Sequence, residues 1–191
     1  MKKFLSIFLV LVTLLSVAIP ASATSVDENS YEIELTLDSN GRAGVTYGYV
    51  VFEDSVRYYN FEVDAEKAAF ESIQTNSNSR AVQPRSIGSF HVGIEMVGTQ
   101  YRMYYEVKGV GLLSVGGYMK CKSTAWLFAK TYHDQKFSQT SIGTTMMSGE
   151  SSVFSLPSGT EKVKVGWHDV TIRDGDGYAE LADAYAKVNV G

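Results

Sequence analysis

Through most of this chain apolar and polar side chains alternate with a period of two. A strand sends successive side chains to opposite faces, so the pattern commits these segments to β-structure with one buried side. "YEIELTLD" sets Tyr31, Ile33, Leu35 and Leu37 against Glu32, Glu34, Thr36 and Asp38. "SNGR" then supplies Asn40-Gly41, which tolerate positive φ, and "AGVTYGYVVFE" returns, so a hairpin is expected here. "SVRYYNFEV" reads as a third strand. Asp64 precedes "AEKAAFESI", where the spacing of Ala69, Phe70 and Ile73 predicts a short helix capped by Asp64.

Residues 74–86, "QTNSNSRAVQPRS", are polar, aperiodic and contain a proline, the composition of a linker. Alternation resumes in "SFHVGIEMVG" and "TQYRMYYEVKG", where Phe90, Val92, Ile94 and Met96 can line the same side as Tyr101, Met103, Tyr105 and Val107. "GGYMKCKSTAWLFAKTY" continues it, followed by a Ser/Thr/Gly-rich meander from Ser138 to Gly149 and a short strand at "SSVFSL". "KVKVGWHDVTI" and "YAELADAYAKVNV" flank "RDGDG". The Ala, Leu and Glu of the last segment suit a helix, but its alternating end and its place directly after a turn favour a strand.

The first residues carry Lys2 and Lys3, an apolar run from Phe4 to Ile19 and the small-residue box Ala21-Ser22-Ala23, the layout of a secretory signal peptide cleaved after Ala23. The organisation expected is therefore a leader over 1–23, a β-rich segment with a short helix over 24–73, a linker over 74–86 and a β-sandwich over 87–191. A secreted, extracellular location and a bacterial exporter fit this layout. The formal net charge of −4 becomes −6 once Lys2 and Lys3 leave with the leader, so the overall balance offers no basic footprint for nucleic acid or anionic lipid, and no membrane insertion is expected after cleavage. With Cys121 as the single cysteine, an internal disulfide is excluded.

Few stretches hint at chemistry. His133-Asp134 and His168-Asp169 are adjacent pairs, and in an extended strand neighbours point to opposite faces, so neither pair is expected to close on one metal or proton. Cys121 shares a face with Met119 and Ser123 and reads as a buried structural thiol. No G-x-S-x-G elbow is present, and "GVGLLS" from Gly109 lacks the third glycine of a dinucleotide loop, so it reads as a connection between strands. "TIRDGDGYAE" resembles an acidic calcium loop at Asp174, Asp176 and Glu180, but Ile172 stands where the first carboxylate would be. A plain hairpin turn is the preferred expectation, with a weak calcium site at those three residues as its competitor and no other cofactor.

Aromatic residues give the best lead. Tyr104 falls on the polar side between Arg102 and Glu106, and Tyr118 and Trp126 share a side with Lys120 and Lys122. Outward rings of this kind stack on sugars or anchor a protein. The expected fold is all-β and mostly antiparallel, a sandwich of immunoglobulin-like architecture, although no Cys-Trp-Cys pattern accompanies it. The expected function is a non-catalytic extracellular binding or adhesion module that meets a glycan or a surface protein through Tyr104, Tyr118 and Trp126. The alternative is an extracytoplasmic hydrolase whose acid pair is assembled only by the fold.

Overall fold

Cross-strand pairing follows the alternation closely. The computed structural model describes residues 33–53, 55–76, 84–125, 127–175 and 177–191. In it β4 (Ser86–Val97) and β5 (Gln100–Ser123) form a hairpin that sets Phe90 opposite Val107, Val92 opposite Tyr105 and Ile94 opposite Met103. All six side chains are buried. Directly opposed residues share a face, so the register alone gathers this part of the core. β2 (Arg42–Val51) adds antiparallel to β4 along its whole length, contributing Val45 opposite Val92, and β3 (Val56–Asn60) adds to β2.

The second half of β5 turns to other partners. β6 (Thr131–Glu150) runs beside β5 for nearly its full length, and β7 (Lys162–Asp174) pairs with the segment from Leu112 to Ser123. β8 (Tyr178–Leu181) and β9 (Ala184–Asn189) both pair with β7, and β1 (Glu34–Thr36) lies parallel to β9. The chain is thus mostly β, with nine strands in one mixed sheet and one described helix, α1 (Asp64–Asn76). The two antiparallel layers of an immunoglobulin-like sandwich were the expectation; one continuous sheet with a parallel pair is what the hydrogen bonds describe.

This sheet curls. Phe90 sits beside Val107 of β5 and Trp167 beside Met119, positions that a straight strand would hold about 40 Å apart. Yet the Phe90 and Trp167 rings meet edge to face at 4.9 Å between centroids, and Tyr47 meets Trp167 at 5.2 Å. β5 must therefore bend between them, and the irregular pairing from Lys108 to Ser114 marks the place. The bend divides the sheet into a first wing (β3, β2, β4, the start of β5, the end of β6) and a second wing (the rest of β5 and β6, with β7, β8, β9 and β1). One core of Val45, Phe90, Val92, Met103, Met119, Cys121, Val165, Trp167 and Val188 fills the space between them.

Four local expectations change. The turn at Asp38 to Arg42 forms, with the Asp38 carboxylate accepting from the Asn40 and Arg42 N–H groups at 2.8 and 2.9 Å, but its first arm pairs with β9 instead of β2. "GVGLLS" is no connection: it lies inside β5 at the bend. The Ser/Thr/Gly-rich stretch from Ser138 to Gly149 belongs to the long strand β6, because β5 beside it supplies the ladder that its own composition does not favour. The Val63 carbonyl accepts from Lys67 N–H at 3.0 Å, so Val63 caps α1 and Asp64 sits in its first turn, where its charge suits the helix dipole. "YAELADAYAKVNV" forms strands β8 and β9, interrupted at Ala182 and Asp183.

Candidate functional site

With Phe90, Val92 and Ile94 turned inward, Ser89, His91, Gly93 and Glu95 must face out. β2 and β5 contribute Arg42, Gly44 and Thr46, and Arg102, Tyr104, Glu106 and Lys108, to the same outer side. Of these, Arg42, Gly44, Thr46, Ser89, His91, Tyr104, Glu106 and Lys108 line a depression of about 990 Å³ on the outside of the first wing, walled by Asp38, Phe61, Ser148 and Glu150.

Two missing side chains shape the floor. A Cβ on Gly44 would lie 2.6 Å from His91 Nε2 and 2.8 Å from the Val92 carbonyl oxygen. A Cβ on Gly93 would lie 2.6 Å from the Ala43 carbonyl oxygen and collide with the Tyr104 ring. Glycine at both positions lets the two rings lie down on the sheet, 5.4 Å apart. The Thr46 hydroxyl lies 2.8 Å from His91 Nδ1, and the Tyr104 hydroxyl lies 3.3 Å from Nε2. Arg42 stacks over the Tyr104 ring at 4.3 Å and pairs with Glu95 at 3.0 Å. Glu95 also binds Arg102, which reaches on to Glu150, and Lys108 pairs with Glu106 at 2.7 Å.

Burial holds the His91 pKa below its ordinary value, with Arg42 and Lys108 acting the same way and Glu106 opposing. A histidine whose folded pKa is depressed binds its proton more readily when unfolded. Its penalty is therefore absent above the unfolded value near 6.5 and grows as the pH falls through it. His133, stacked on Phe154 at 4.4 Å, is shifted in the same direction by burial. Stability should fall between about pH 7 and 5, before carboxylates titrate, and a His91→Asn variant should show a shallower fall. Melting temperatures of both proteins across that range check this; parallel curves would contradict it.

The second wing carries another polar cluster. His168-Asp169 was expected to splay to opposite faces, but the side chains meet, Nδ1 to Oδ2, at 3.0 Å. The reason is a β-bulge in which Asp169 and Val170 stand opposite the single Gly117, with Asp169 at φ 51°. His168 Nε2 lies 3.1 Å from Asp134, which also binds Lys120 at 3.0 Å, and Tyr118 stacks on the imidazole at 4.7 Å. Burial pushes the Asp134 pKa up, but the bonds from His168 and Lys120 outweigh it and the net shift is downward. Both imidazole nitrogens are in hydrogen-bond contact with carboxylates, Nδ1 with Asp169 and Nε2 with Asp134. This cluster ties β6 to β7.

Of the residues singled out from the sequence, Tyr104 lies in the depression under Arg42, and Tyr118 lies on the other wing against His168. The structure does not bring them together, and Trp126 lies outside the described residues. Asp174 is buried, its carboxylate accepting from Gly177 N–H at 2.6 Å and from the Ser86 hydroxyl. Glu180 is exposed on β8 and accepts from the Tyr178 hydroxyl at 2.8 Å, while Asp176 lies outside the described residues. No three His, Cys, Asp or Glu side chains converge as metal ligands among the described residues. Burial pushes the Cys121 thiol up to about 12, the opposite of what a nucleophile needs. His91, Arg42 and Lys108 were missed as a group, although the phase of "SFHVGIE" against "QYRMYYEVK" already places His91 and Lys108 on one face.

No protein-family model, no curated protein and no solved structure matches the chain.

Proposed function

We propose that the chain is a secreted, non-catalytic extracellular module that binds a polar, hydroxyl-rich ligand of the glycan class in the depression on the first wing. The observation that carries this reading is the depression's make-up. Donors (Arg42, Lys108), acceptors (Asp38, Glu106, Glu150) and hydroxyls (Thr46, Ser89, Ser148) surround a floor of two flat rings. Each sugar hydroxyl both donates and accepts, so a ring of mixed partners suits it better than a field of one sign. The scaffold that accompanies this reading is a sandwich in function, the two wings acting as its facing layers.

A hydrolase reading finds less support. Its general acid would need a carboxyl held above the ordinary range. Among the described residues, the three carboxyls whose titration is clearly moved, Glu34, Asp38 and Asp134, all move down.

The test is an array of cell-surface and cell-wall oligosaccharides probed with wild type and with Lys108→Ala. The reading expects a ligand that wild type retains intact and that the variant binds about ten to a hundred times more weakly, the worth of one charged hydrogen bond. Cleavage of the ligand, or equal retention by both proteins, would refute it.

A further inference from the structure

The β5–β6 hairpin ends in an apolar tip that the fold does not use. Leu127 is 57% exposed and Phe128 96% exposed. Phe128 also holds a φ of 58°, a left-handed conformation that bulky side chains avoid. Neither its backbone nor its side chain is arranged for the stability of the folded chain. The neck behind it is closed, with the Ser123 N–H donating to the Lys130 carbonyl at 2.8 Å and the Lys130 N–H donating to the Ser123 hydroxyl at 2.9 Å.

A row of lysines lies directly behind this neck. Lys122 on β5 stands opposite Lys164 on β7, and Lys164 opposite Lys187 on β9. Their inward neighbours Cys121, Val163, Val165, Ala186 and Val188 are buried, so all three lysines rise from the outer face, with the exposed Lys130 at the neck. Like charges placed directly across a ladder repel one another. The surroundings register this. Burial lowers the Lys122 pKa, Lys164 and Lys120 lower it further, and Asp183 opposes them. Lys122 rests over the Tyr185 ring at 3.7 Å, and Glu34 stands beside Lys187 at the far end.

An exposed apolar tip and a registered row of cations thus lie at the same end of the second wing. We infer that this end is a peripheral docking surface for an anionic lipid bilayer, with Leu127 and Phe128 entering the interface and Lys122, Lys130, Lys164 and Lys187 meeting the headgroups. The dimensions agree. Leu127 and Phe128, two or three residues beyond Lys130, can reach about 10 Å beyond the neck, near the depth to which interfacial side chains sink. The lysines then stand within about one screening length of the charged surface. A chain with a formal net charge of −4 conceals this, because the register concentrates its cations locally. The inference is independent of the depression, which lies on the other wing.

The experiment is co-sedimentation of the chain, its leader removed, with phosphatidylcholine vesicles that either lack phosphatidylglycerol or contain about one-third of it. Wild type should sediment with the anionic vesicles alone, and about 0.5 M salt should release it. Leu127→Ser with Phe128→Ser should weaken binding at least about tenfold, and Lys122→Gln with Lys164→Gln by a similar factor at about fivefold per lysine. These side chains lie outside the core, so unchanged melting temperatures verify folding. Absence of binding to anionic vesicles, binding that survives the tip substitutions, or a tip that engages a purified protein while vesicles fail would each overturn the inference.

Discussion

Trp167→Ala should be the most damaging single substitution on the second wing, lowering unfolding stability by about 3 to 5 kcal/mol. The indole is almost completely buried, meets Phe90 and Tyr47 edge to face, and donates its Nε1–H to the Ala182 carbonyl at 3.0 Å. That last bond holds the break between β8 and β9 in place. Alanine would remove the ring by which one wing recognises the other, and a domain of this size has only about 5 to 15 kcal/mol to lose. Urea unfolding of Trp167→Ala, Phe90→Ala and the double variant should reveal a coupling of about 0.5 to 1.5 kcal/mol for the edge-to-face pair. Additive losses would mean that the wings do not share a core.

Asp174→Ala should cost about 2 to 4 kcal/mol. Its carboxylate is buried where β7 turns into β8, accepts from Gly177 N–H to shape the turn and from Ser86 to hold the start of β4. Removing it leaves two donors without that acceptor. Asp174→Asn, which retains one acceptor oxygen, should lose about half as much. If the loop instead served calcium, wild type would gain melting temperature in millimolar calcium and Asp174→Asn would not. The turn account expects equal melting temperatures with calcium and with chelator.

The same stretch shows what the sequence could and could not disclose. Ile172 in place of a carboxylate pointed to a strand and turn, and the fold agrees, since Ile172 is buried opposite Ala179. The partner of Asp174 is Ser86, distant in the chain, and no local pattern announces such a contact. Alternation likewise predicted that Phe90, Val92, Ile94, Met103, Tyr105 and Val107 face the core, because a two-residue period leaves no other choice once one face is apolar, but Met96, expected on the same side, is exposed at the end of β4. It was silent on which strands become neighbours. Leu35 belongs beside Val188 in a parallel pair, a choice made by the closing of the whole sheet. His168 and Asp169 misled for a related reason: period-two reasoning assumes an unbroken strand, and the bulge opposite Gly117 breaks it. Tyr104 was legible as outward, but the glycines that let it lie flat matter only once Gly93 is known to stand opposite it.

On the proposed reading, ligand binds in the depression of the first wing. The most direct measurement is a titration of residues 24–191 with any oligosaccharide retained on the array, followed through backbone amide resonances. The account predicts saturable shifts concentrated at residues 42–46, 89–93, 104–108 and 148–150, little change at residues 162–168, and a ligand recovered unaltered. Shifts centred on the second wing, or a ligand recovered as cleaved products, would contradict it.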